Sequence, residues 1–247
     1  MLHIITIEIC CGSANDAVTS ASAGACRIEL NSALELGGLT PSIGTLRLAR
    51  EKTSAEIITM LRPRGGGFCY SEKEFETMLI DLSLLLENGA DGIAFGILTK
   101  DGELDDERCK IILDKMDKYS AGKKAVFHMA FDEAKTDELE MLSKLETLGF
   151  ARVLTRGRAR SATEGIEALA RYIEYTKKKS MRLEILPGGG IRQHNAPEIV
   201  TKTGATQLHG QYHKNAGDGV RVVDEDKLKC YIEWAHSFPN NSKGAIL

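Results

Sequence analysis

The run Glu56-Ile57-Ile58-Thr59-Met60-Leu61-Arg62-Pro63-Arg64-Gly65-Gly66-Gly67-Phe68-Cys69-Tyr70 contains the unit from which this chain is built. A β-rich segment, residues 56–60, runs into a proline and three glycines, and a helical pattern starting near Ser71 follows until Gly89 stops it. Pro63 fixes the chain direction and biases Arg62 toward an extended conformation. The glycines let the backbone turn sharply or approach a ligand. Arg62 and Arg64 share parity, so an extended chain would aim both guanidinium groups to one side, as suits a bound carboxylate or phosphate. The plainer reading is a solvated turn with two surface salt bridges.

The same unit recurs in both directions along the chain. Strand patterns cover residues 4–9, 27–30, 56–60, 92–95, 124–128, 152–154, 183–186 and 207–210. Helical patterns follow them: a short one capped by Asn15 or Asp16 and ending near Gly24, then 42–52, 72–88, 105–118, 136–148, 163–177 and 195–203. A polar, Gly-containing stretch leads to an apolar-periodic segment over 227–235. Eight alternating units in 247 residues predict an α/β fold, a TIM-like (β/α)8 barrel, as one domain over residues 1–239 with a polar, disordered tail at 240–247. An open doubly wound sheet is the other arrangement this alternation allows. It would need an edge strand with a polar face, and none is evident.

Composition narrows the function classes. A net charge of -3 gives no support for a nucleic-acid partner. No apolar run approaches a membrane span, and Glu8 interrupts the only apolar run near the start, so a cytoplasmic location is expected. None of the six cysteines is spaced C-x-x-C, and unpaired thiols fit a reducing compartment.

Parity places chemistry at one end of such a barrel. With the isoleucines and leucines facing the helices, Glu8, Cys10, Arg27, Glu29, Arg62, Arg64, His128, Asp132, Thr155 and His209 come to the C-terminal mouth. Buried charges need partners, and Glu8 and Glu29 can pair with Arg27, Arg62 and Arg64. A functional site there would use His128, Glu8, Glu29 and Asp132 for acid–base chemistry. Arg27, Arg62, Arg64 and His209 would supply an electrostatic clamp on an anion. Pro187-Gly188-Gly189-Gly190 follows strand seven, where barrels often bind phosphate through backbone N–H groups, so Gly188, Gly189 and Gly190 join the anion-site candidates. Two readings follow from the residues: an enzyme acting on a small anionic or phosphorylated metabolite, and a non-catalytic scaffold plugged by salt bridges.

The motifs Glu8-Ile9-Cys10, Arg27-Ile28-Glu29-Leu30, Gly37-Gly38-Leu39-Thr40-Pro41-Ser42, Arg62-Pro63-Arg64-Gly65-Gly66, His128 with Ala130-Phe131-Asp132, and Pro187-Gly188-Gly189-Gly190 resemble the CutC copper homeostasis family, in order from residue 4 to about 210. The resemblance implies a cytoplasmic TIM-like barrel, a homo-oligomer of two or more copies, that binds copper(I). Asn31 stands where the family pattern has a cysteine, Met129 where it has arginine, and Gly67 where it has aspartate. Copper(I) prefers thiolate or thioether ligands. Cys10 is the only family-matched thiol, so weak copper(I) binding is expected, with Cys69 or Met129 as possible substitute donors.

Overall fold

The computed structural model describes residues 4–119, 122–217 and 219–238. The chain runs β1 (Thr6–Cys11), α1 (Ala14–Ser22), β2 (Arg27–Leu30), α2 (Ile43–Lys52), β3 (Glu56–Met60), α3 (Glu72–Glu87), β4 (Gly92–Phe95), α4 (Asp106–Tyr119), β5 (Lys124–Phe127), α5 (Ala130–Glu133), α6 (Glu138–Leu148), β6 (Arg152–Thr155), α7 (Ile166–Lys178), β7 (Glu184–Pro187), α8 (Ala196–Thr203), β8 (Gln207–Gly210), β9 (His213–Asn215), β10 (Arg221–Val223) and α9 (Glu225–Ser237). The eight expected strand–helix units are present. The expected tail at 240–247 lies outside the described residues.

Strands β1 to β8 form one parallel sheet in the order β7-β6-β5-β4-β3-β2-β1-β8. The sheet is flanked by helices and nearly closes into a barrel. Its two ends, β7 and β8, are joined by side chains rather than by a ladder. Gln207 Nε2 donates to the Ile185 carbonyl and to Glu184 Oε2, each at 3.3 Å. Gly188 belongs to this join: a Cβ there would lie 2.5 Å from Leu154 Cδ1 and 3.3 Å from His209 Cβ.

The expectation that isoleucine and leucine face the helices holds for part of the sheet. Ile5, Ile7, Ile9, Ile28, Leu30 and Ile57 lie in the core between sheet and helices. Ile58, Met60, Ala94, Val126, Leu154 and Leu186 instead form a separate cluster within the curved sheet. The interior is therefore divided. Strands β3 to β7 line its middle with this apolar cluster, as barrel interiors usually are, and carry Glu56, Lys124, Arg152 and Glu184 at their N-terminal ends. Strands β8, β1 and β2 fill it with Glu8, Cys10, Arg27, Glu29, Gln207 and His209.

Local chemistry explains the element ends. Helix α3 starts with a capping box, in which Ser71 Oγ accepts from Glu74 N–H and Glu74 accepts from Ser71 N–H. Ser13, not Asn15 or Asp16, caps α1. Asp16 instead holds the hairpin β9–β10, which occupies the polar, Gly-containing stretch before the last helix. Its Oδ1 accepts from Val223 N–H at 3.0 Å, and its Oδ2 lies 3.5 Å from His213 Nε2. Among the described residues, no helix is long and apolar enough to cross a membrane.

Candidate functional site

The polar half of the interior has two levels. The lower one is an ionic network. Arg27 Nε donates to Glu8 Oε2 at 2.6 Å and its Nη2 to Gln207 Oε1 at 2.7 Å. Buried Arg152 lies 3.4 Å from Glu184 and 3.6 Å from Glu56, which also meets Lys124 at 3.3 Å. In this salt-bridge network only Glu8 of the two glutamates Glu8 and Glu29 pairs with an arginine.

The upper level is a pocket of about 200 Å³. One wall is Cys10, Glu29, Asn31 and His209; the other is Met60, Arg62, Phe68, His128 and Met129. In parallel register Cys10 pairs with Glu29, and Glu8 with His209, so three adjacent strands bring these groups together. His209 Nδ1 lies 2.8 Å from Glu8 Oε1, and its Nε2 lies 3.9 Å from Glu29 Oε2. Asn31 Nδ2 donates to Glu29 Oε2 at 2.9 Å and to Cys10 Sγ at 3.5 Å. One donor atom each from Cys10, Glu29 and His209 falls within 4.8 Å of the others.

Burial opposes charge on all these groups, and their neighbours decide the outcome. Burial pushes the Cys10 thiol up to about 12. It also raises Glu29, against the pull of His209. Arg27 and His209 overcome burial at Glu8 and hold it well below the usual carboxylate range. His209, against its own burial, is held well above its usual range by Glu29 and Glu8, so it is an imidazolium. On the opposite wall, burial and then Arg62 lower His128 to about 3. Its Nδ1 accepts from Ala130 N–H at 3.2 Å, which puts the ring proton on Nε2. His128 therefore offers a neutral N–H donor near pH 7, rather than a group poised to exchange protons.

The other expected site residues are placed differently. Strand β3 ends at Met60, so the parity argument does not extend to Arg62 and Arg64. Arg62 donates through Nη1 to the carbonyls of Leu36, Gly37 and Gly38 and through Nη2 to that of Gly66, fastening two loops. Arg64 turns outward to Glu74, at 2.5 Å. The two arginines still border a shared outer cleft of about 690 Å³ with Arg156, but Gly188, Gly189 and Gly190 do not line it, so the expected joint anion site is not assembled. Asp132 is enclosed by the turn after β6, accepting from Thr155 Oγ1 at 2.5 Å and from the N–H groups of Arg156 and Arg158 at 3.0 and 2.8 Å. Its carboxylate holds that turn.

Comparison with known proteins fits this arrangement. The CutC family model matches residues 5–214. The chain belongs to the CutC family. It is 49% identical over 205 residues to a CutC family protein of Treponema denticola, covering 83% of this chain and 80% of that one. It is 40% identical over 215 residues to the human copper homeostasis protein cutC homolog, covering 87% and 76%. The crystal structure of CutC from Streptococcus agalactiae superposes with a TM-score of 0.74 at 32% identity, covering 83% of this chain and 98% of that one.

Within this CutC family member, sequence parity brings out Cys10, Glu29 and His209 but misses other pocket residues, Met60 and Asn31 among them. Met60 shares parity with Ile58, so assigning Ile58 to the interior would have found it. Asn31 stands out in the sequence only as a missing cysteine. In the structure its amide bridges Glu29 and Cys10, a role that its place just past β2 signals only once the register is known.

Proposed function

We propose that the chain binds one copper(I) ion in the upper pocket and takes part in copper handling, as the names of its relatives suggest. We read the curved sheet that holds this pocket as a TIM-like (β/α)8 barrel closed through side chains between β7 and β8. The observation that carries the copper reading is the convergence of Cys10, Glu29 and His209 donor atoms within 4.8 Å. The donor set fits a soft ion of low coordination number: a thiolate and an imidazole, with the thioethers of Met60 and Met129 lining the same pocket. Copper(I) would supply Lewis acidity and the capacity to change oxidation state. The protein residues define the terms of entry. Cys10 and His209 must each give up a proton before they can ligate, and Asn31 contributes no second thiolate. Both features weaken the site.

Titration of the metal-free, reduced protein against a competing copper(I) chelator tests this reading. One weakly held equivalent is expected in the wild type and none in Cys10→Ala. Asn31→Cys should raise affinity by roughly tenfold or more, since it sets a second soft ligand beside Cys10. Tight binding unaffected by Cys10→Ala would place copper elsewhere.

A further inference from the structure

The wall of the pocket opposite Cys10 carries features that a metal ion does not account for. Arg62 is 6% exposed and its guanidinium meets neutral groups: four backbone carbonyls, the Phe68 ring, 4.9 Å away, and the neighbouring Tyr70 hydroxyl. A buried charge without a counter-charge is costly. Its Nε has no hydrogen-bond partner, and neither does Nε2 of His128, which is 2% exposed. Across the pocket, Oε1 of Glu29, 3% exposed, also has no partner. Native proteins leave few such atoms unsatisfied. Here four of them, two N–H donors (Arg62 Nε, His128 Nε2) and two acceptors (Glu29 Oε1, Asn31 Oδ1), belong to residues lining a single cavity of about 200 Å³.

We infer that the pocket binds a small 2-hydroxy carboxylate, whose carboxylate accepts from Arg62 Nε–H and His128 Nε2–H and whose hydroxyl donates to Glu29 Oε1. Two N–H donors match the two oxygens of a carboxylate, and the Arg62 charge supplies the preference for an anion. The Glu29 acceptor adds the requirement for a hydroxyl, because a ligand without one leaves that oxygen unpaired. The three atoms are closed off from solvent as the walls stand. Entry therefore requires Phe68 and Met129 to part, and both also line the outer cleft through which a ligand would arrive. This ligand shares Glu29 and the pocket with the proposed copper site, but Arg62 and His128 stand outside the Cys10–Glu29–His209 cluster, so a variant at His128 tests the two separately.

The probes are DL-lactate, propionate, 1,2-propanediol and inorganic phosphate, titrated calorimetrically into the chelator-treated protein at fixed ionic strength. Lactate should bind. Propionate, which lacks the hydroxyl, and 1,2-propanediol, which lacks the carboxylate, should each bind about tenfold more weakly or not at all. His128→Asn keeps an acceptor for Ala130 N–H and deletes the Nε2 donor. It should lose about tenfold in lactate affinity while its copper(I) affinity stays at the wild-type value, which separates this inference from the copper reading. Equal binding of lactate and propionate, tighter binding of phosphate than of lactate, or no lactate binding by the wild type would each overturn the assignment. The wild-type probe series is decisive even if the variant fails to fold.

Discussion

His128 keeps one ring nitrogen on the Ala130 amide and leaves the other without a partner, and its burial beside Arg62 sets how stability responds to acid. In the unfolded chain this histidine titrates near 6.5; in the native state its value falls to about 3. Between those values the unfolded chain holds a proton that the native state refuses. Stability must therefore rise with pH across this window, with a slope of up to about 1.4 kcal/mol per pH unit from this group, and level off above it. Urea melts from pH 4 to 7 should show a shallower slope for His128→Asn than for the wild type. The two arginine classes give a second contrast. Arg27→Ala leaves buried Glu8 with His209 and the field of Arg152 but without its paired guanidinium, and should cost roughly 3–5 kcal/mol by urea unfolding. Arg64→Ala removes a partly exposed surface pair and should cost far less. Sequence parity cannot draw that distinction. It ranks the arginines by direction, whereas depth decides what each one does.

At the scale of elements, the sequence is most legible where one strand runs regularly. Alternation through β1 and β2 places Glu8, Cys10, Arg27 and Glu29 on one face, and the ladder keeps them there. Prediction fails just past the strand ends, because side-chain parity has no meaning once the backbone leaves the extended region. Residues 61–70 and the one-turn helix α5 show this: Arg64 swings out to Glu74, and Asp132 folds under the turn after β6. The loop and α3 are linked through Glu74, which serves both the capping box and Arg64. Ser71→Ala should therefore destabilise by about 0.5–2 kcal/mol and speed amide exchange in the first turn of α3, as hydrogen exchange would report. Unchanged exchange there would show that the Arg64–Glu74 contact holds the helix start unaided.

For the whole molecule, eight alternating units are enough to give the curved parallel sheet, since short βα connections leave few other ways to cover both faces. The way its ends meet is not legible. The β7–β8 join depends on Gln207, and a glutamine in a four-residue strand carries no mark of that role. Nor can the division of the interior be read, because Ile58 and Ile57 look alike in sequence and face opposite layers. The join should be the weakest part of the ring. Hydrogen exchange is expected to be faster in β7 and β8 than in β1, β2 and β3, each of which has a partner on both sides. Gln207→Leu should widen that difference and also weaken the hold on Arg27, whose Nη2 loses its acceptor. Equal protection across all eight strands would show that the join is as firm as a ladder.

The contact between Glu8 and His209 spans 201 residues, nearly the whole chain, whereas that between Glu8 and Arg27 spans 19. During synthesis at roughly 5–20 residues per second, a ribosome-bound chain carries Glu8 for about ten seconds or longer before His209 exists. Arg27 arrives early enough to neutralise the glutamate in the first βαβ unit, so the buried acid need not wait for the end of translation. Cys10 and Glu29 have no such provision: their histidine comes with the last strand of the sheet. A nascent or clipped chain that stops short of His209 would carry two of the three donors and no completed pocket, so ligand occupancy would report that the last strand of the sheet is in place.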